Sequence, residues 1–106
     1  MLEVTPIKTR IPVEIDRDLE EIIPNFLQNR VNDIAGLKKA VAAGEFEHIR
    51  IVGHTLKGIG GGYGFDLISD VGLVLERAAK ASDCITIKKA INDLETYLEL
   101  VDIIYV

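Results

Sequence analysis

A chain of 106 residues can bury one hydrophobic core but cannot hold a nucleotide-binding domain with anything beside it. Apolar residues make up 48 % of it and charged ones 27 %, and no run of about 18 apolar residues offers a membrane span; the formal charge of −5 speaks against a nucleic-acid binder, which holds phosphates with clustered Lys and Arg. Cys84 is the sole cysteine, and Met1-Leu2-Glu3-Val4 lacks the basic-then-apolar layout of a secretory leader, so the expectation is a cytoplasmic protein without an internal disulfide, whose partners are other proteins.

Residues 1–15 alternate loosely, with Ile7, Ile11, Val13 and Ile15 apolar and Pro6 and Pro12 denying regular helix, which predicts an extended arm packed on a helical domain over 16–106. Asp16 can cap a short helix up to Ile23, after which Pro24 either kinks it or opens the next. From Pro24, Leu27, Val31, Ile34, Leu37 and Val41 recur at spacings of three and four as far as Gly44, a C-cap. A third helix starts near residues 45–47. A fourth spans about 66–81, with Leu67, Ile68, Val71, Val74, Leu75 and Ala78 inward. Ser82 or Asp83 caps a fifth, whose stripe is Ile87, Ala90 or Ile91, Leu94, Leu98 and Val101. The β-branched ending Ile103-Ile104-Tyr105-Val106 is suited to leaving that helix and running beside the arm. Short connections between amphipathic helices favour antiparallel neighbours. The predicted class is all-α: an antiparallel four-helix bundle with a short additional N-terminal helix and an extended N-terminal arm.

The third helix carries the chemistry. Val52-Gly53-His54-Thr55-Leu56-Lys57-Gly58-Ile59-Gly60-Gly61-Gly62-Tyr63-Gly64-Phe65 holds six glycines, yet neither G-x-G-x-x-G nor the P-loop spacing occurs and no strand precedes it. At about 100° per residue, Ile49, Val52, Leu56, Ile59 and Tyr63 fall within an arc of roughly 80°, so the segment reads as helix; His54 lies about 170° from the centre of that arc, on the solvent side. Lys57 at i+3 is its neighbour, and Gly58 and Gly61 at i+4 and i+7 flank it along the same face. Each glycine costs a helix interior about 1 kcal/mol relative to Ala, and a reason to bear that cost here is access: no Cβ stands beside the ring when another protein's active site approaches. Gly53, Gly60 and Gly62 point elsewhere, toward close helix packing or fraying before Gly64. A neutral imidazole can attack phosphorus through one ring nitrogen while the other keeps its proton, and Lys57 is placed to neutralise phosphoryl oxygens.

His54-Thr55-Leu56-Lys57-Gly58, followed by small residues and Tyr63-Gly64-Phe65, resembles the signature of histidine-containing phosphotransfer (HPt) domains. The likeness in helix placement covers about residues 16–101, and Ala42-Ala43-Gly44-Glu45-Phe46-Glu47 resembles the turn before that family's histidine helix; the arm lies outside it. The resemblance implies that His54 exchanges a phosphoryl group on Nε2 with the aspartyl phosphate of a response-regulator receiver domain, that Lys57 stabilises the phosphate, and that Gly58 leaves room for the receiver. It further implies that Glu76, at the edge of the fourth helix's apolar face, orients the imidazole through Nδ1, and that Lys80 one turn on adds positive potential. Exposed Ile51 and Gly58 join Gly61 and Lys80 in the implied docking surface. Other implied partners include a hybrid sensor kinase; no cofactor or metal is implied, and a phosphotransfer protein rather than an autonomous kinase is expected.

Competing readings stand beside this one. The same bundle can dock to a receiver or kinase without taking phosphate, or the glycines can serve tight packing in a domain unrelated to signalling. Glu76 is open between ring partner and solvated carboxylate. His48 lies about 240° of helical turn from His54, too far round to share a metal, and reads as structural. Cys84 reads as an inert thiol, Tyr97 and Tyr105 as packing, and Glu20-Glu21 as a solvated helix start.

Overall fold

In the computed structural model, which describes residues 9–106, Pro24 occupies the first turn of α1 (Ile23–Ala43). There its missing N–H has no intrahelical partner to lose. The predicted helix ahead of it is a single 3-10 turn, Arg17–Leu19, opened by Asp16, whose Oδ1 accepts the Asp18 N–H at 2.9 Å. α1 ends at Gly44 in the left-handed region, φ 69°, and the Gly44 and Glu45 N–H groups reach back to the carbonyls of Val41 and Ala40. α2 (Phe46–Ile59) follows after two residues. A 3-10 turn, Gly61–Tyr63, and Gly64 at φ 91° lead into α3 (Asp66–Lys80). Asp83 caps α4 (Cys84–Leu100), accepting from the Thr86 N–H at 3.1 Å and the Thr86 hydroxyl at 2.6 Å.

Helix accounts for 74 % of the described residues, as expected of a helical fold, and a small parallel strand pair stands beside the four helices. β1 (Ile11–Ile15) pairs with β2 (Val101–Tyr105), Ile11 opposite Val101 and Ile15 opposite Tyr105. Arg10 fastens the start of the pair, donating to the carbonyls of Glu99 at 2.9 Å and Val101 at 2.8 Å. The strand period of two turns Ile11, Val13 and Ile15, with Val101, Ile103 and Tyr105, toward the helices and leaves Pro12, Glu14, Asp102 and Ile104 exposed. The predicted arm over 1–15 is thus a strand in its last five residues, and residues 1–8 lie outside the described part. No described helix is long and apolar enough to cross a membrane.

α2 packs most extensively on α3, α3 on α4, and α1 on both α4 and α2. The core between them holds Leu37, Ile49, Leu56, Phe65, Ile68, Leu75, Ile87 and Leu94, all fully buried. Burying each such side chain contributes about 1.5–3 kcal/mol. Two predicted stripes are rotated. α1 buries Ile23, Phe26, Arg30, Ile34, Leu37 and Ala40, leaving Val31 exposed and Leu27 and Val41 half-buried. Arg30 goes inward because its guanidinium lies 4.7 Å over the Phe26 ring and its Nε donates to Asp33 at 2.8 Å. Phe26 in turn stacks on Phe65 and meets Tyr63. On α3 the buried face is Ile68, Val71, Gly72, Leu75, Glu76, Ala78 and Ala79, while Leu67 and Val74 are exposed.

Candidate phosphoacceptor site

The contact between α2 and α3 builds the site. Gly53 and Gly72 face each other where the two backbones cross. A Cβ on Gly53 would meet the Glu76 nitrogen at 2.7 Å and the Gly72 oxygen at 2.8 Å, and one on Gly72 would strike the Lys57 nitrogen and, at 2.6 Å, the Gly53 oxygen. Real Cβ atoms essentially never come within 3.0 Å of such atoms, so only glycine permits this approach. Further along, Gly60 lies close to Ser69, whose hydroxyl accepts the Gly61 N–H at 2.7 Å.

This crossing puts Glu76, four residues after Gly72, between His54 and Lys57. The His54 Nδ1 lies 2.6 Å from Glu76 Oε2, and Lys57 Nζ donates to Glu76 Oε1 at 3.0 Å. The Glu76 side chain is 9 % exposed and that of His54 67 %, so a buried carboxylate holds a ring whose other edge faces solvent. The solvated-carboxylate reading of Glu76 is therefore overturned. The hydrogen bonds from Lys57 and His54, in that order, hold the Glu76 carboxyl down at about 2 against its ordinary 4.5. A carboxylate ionised at neutral pH only accepts, so the proton of the shared hydrogen bond belongs to Nδ1, and in the neutral ring the lone pair is on Nε2.

The remaining predicted residues divide. Ile51 is exposed one turn before His54, and Gly58 is exposed with nothing within 4 Å of where its Cβ would stand. Gly61 does not extend the histidine face: α2 stops at Ile59 and Gly61 opens the 3-10 turn, tied to Ser69. Tyr63, placed on the helix's apolar arc from sequence, sits in that turn against the Phe26 ring, at 4.5 Å. Lys80 is exposed in the last turn of α3, and neither it nor neighbouring Arg77 has an ion-pair partner among the described residues. His48 is exposed, away from the core. Among the described residues no group of three or more His, Cys, Asp or Glu could hold a metal ion.

Sequence reasoning missed Gly72. Its signal was a glycine in the middle of an otherwise well-formed amphipathic helix, where the cost relative to Ala of about 1 kcal/mol calls for a reason. The partner of that reason is Gly53, for which the sequence leaves close packing and fraying open and which stands at the close contact. The comparisons with known proteins returned nothing: no family model, no curated protein and no solved structure matches the chain.

Proposed function

We propose that the protein is a phosphorelay intermediate of the histidine-phosphotransfer kind, with its four helices arranged as an antiparallel bundle and His54 as the phosphoryl carrier. The observation that carries this reading is the exposed ring of His54 with its Nδ1 held at 2.6 Å by a buried carboxylate. Such an arrangement fixes the tautomer and orientation a nucleophilic imidazole needs and leaves its free nitrogen open to another protein. Short links between consecutive helices, and packing of α1 against both α2 and α4, support the bundle.

In the proposed step the Nε2 lone pair attacks the phosphorus of a receiver's aspartyl phosphate. The bond from phosphorus to the aspartate oxygen breaks, the carboxylate leaves with the electron pair, and the Nε2–P bond forms. The Nδ1 proton stays on the ring, where Glu76 balances the positive charge that develops. Lys57 exchanges its Glu76 contact for a phosphoryl oxygen. Open space at Gly58 and the exposed Ile51 side chain suit a docked receiver, and the exposed Arg77 and Lys80, which have no ion-pair partner among the described residues, suit an acidic partner surface. Reversal of the same steps passes the group to a second receiver.

The test is transfer from a panel of phosphorylated receiver domains to the wild-type chain and to His54→Gln. An acid-labile, alkali-stable label on wild type and none on the variant is the expected result. Receivers that bind the chain without labelling it would replace the carrier with a docking-only helical module.

A further inference from the structure

We propose that the Gly53–Gly72 crossing is a positioning device for the site: the absence of a Cβ on Gly72 sets the depth at which α3 approaches α2, and that depth decides whether Glu76 holds His54 and Lys57 together. Gly72 is a positioning residue, since it acts only through Glu76. The inference rests on the proposed role of His54 for its functional meaning, but its geometric part stands without it.

The geometry is specific to this end of the helix pair. Glu76 follows Gly72 by one turn, His54 follows Gly53 directly, and the backbone nitrogen of Lys57 is the atom nearest to where a Gly72 Cβ would stand. All three members of the site are therefore anchored within one turn of the crossing. The two nearest atoms to either Cβ are a backbone nitrogen and a backbone oxygen, which cannot swing aside as a flexible side chain can. An added methyl must push the helices apart. A longer reach could restore one of the bonds of Glu76, but its two oxygens serve two different residues, at 2.6 Å and 3.0 Å, and both contacts survive only within a narrow range of separations. Neither glycine has a positive φ, so alanine is compatible with the backbone at both positions and the spacing is what changes.

Gly60 supplies the control. A Cβ there would meet the Ser69 nitrogen at 2.6 Å, a clash between the same two segments but near the Gly61–Tyr63 turn and away from Glu76. If the glycines mattered for packing alone, Gly60→Ala and Gly72→Ala would behave alike.

The experiment reads the His54 ring tautomer by nitrogen-15 NMR in the full chain, alongside the initial rate of labelling by a competent receiver. Wild type should show Nδ1–H. Gly72→Ala should lose that tautomer in favour of Nε2–H and label about tenfold more slowly or worse, as expected when a positioned group is displaced; Gly60→Ala should keep the wild-type tautomer even where its thermal midpoint falls. Gly53→Ala is the second variant should Gly72→Ala not fold. A folded Gly72→Ala with the wild-type tautomer and a labelling rate within about twofold of wild type overturns the proposal, as does a Gly60→Ala that loses the tautomer equally. Failure of both Gly72→Ala and Gly53→Ala to fold overturns it too, since the crossing would then be a folding requirement. If no receiver labels wild type, the tautomer alone still decides the positioning role, and only the phosphorelay reading falls.

Discussion

A carboxyl group held down at about 2 by Lys57 and His54 makes the contact between α2 and α3 sensitive to acid. Unfolded chains take up a proton at this position near the ordinary 4.5, whereas the folded chain resists until about 2, so the stabilisation from Glu76 is fully present above 4.5 and is lost as the pH falls toward 2. Glu76→Gln should accordingly be less stable than wild type at neutral pH in urea denaturation, and the gap between the two should narrow steadily in parallel measurements down to about pH 3. Comparing the two chains cancels the other acid-sensitive groups, Glu47 and Asp83, whose carboxyls are also lowered, by Arg50 and Thr86 respectively. How far the site was legible differs residue by residue. His54, Lys57 and Gly58 could be read from type and spacing because they lie on one helix, where the period alone fixes their relation. Glu76 could be placed at an edge but not buried, because burial depends on how closely two helices approach, which a wheel drawn for one helix does not contain.

At the scale of the helices, two glycines of α1 and its cap make opposite forecasts. Gly36 lies in the interior of α1 with nothing within 4 Å of where its Cβ would stand, so Gly36→Ala should stabilise the protein by about 1 kcal/mol through helix propensity alone. Gly44 closes the same helix at φ 69°, where an L side chain is strained, so Gly44→Ala should destabilise by about 1–2 kcal/mol. Both changes are read from the denaturation midpoint at constant m-value. Helix existence and most ends followed from the sequence because caps such as Gly44 and Asp83 act locally. The faces of α1 and α3 did not. An apolar stripe treats arginine as an outside residue, and nothing in the spacing of Arg30 announces that it will cover the Phe26 ring and pair with Asp33. On α3, Leu67 and Val74 satisfied the period but lost the interior to Gly72 and Glu76, which the crossing with α2 draws inward.

Over the whole molecule, the sheet ties the two ends of the described chain to the helical core. Ile15 is the best-buried residue of β1, its Cδ1 standing 3.0 Å from where a Gly64 Cβ would be. Ile15→Ala should cost about 2–5 kcal/mol, the range for emptying a core site of that size, and should lower the thermal midpoint without altering the His54 tautomer, since β1 touches the α2–α3 link and not the site itself. The pairing of the chain ends was legible only as a possibility of composition, because β-branched residues at both ends state a preference for strand and not a partner or a direction.

The parallel pairing of β1 with β2 joins residues 90 positions apart, Ile11 with Val101 through Ile15 with Tyr105. Closing so long a loop is entropically unfavourable until the intervening helices have shortened it, whereas the α2–α3 contact is local in sequence and can form early. The expected order of assembly has the helix crossing formed before the strands pair over Gly64, and pulsed hydrogen exchange during refolding should protect the amides of α2 and α3 ahead of those of β1 and β2.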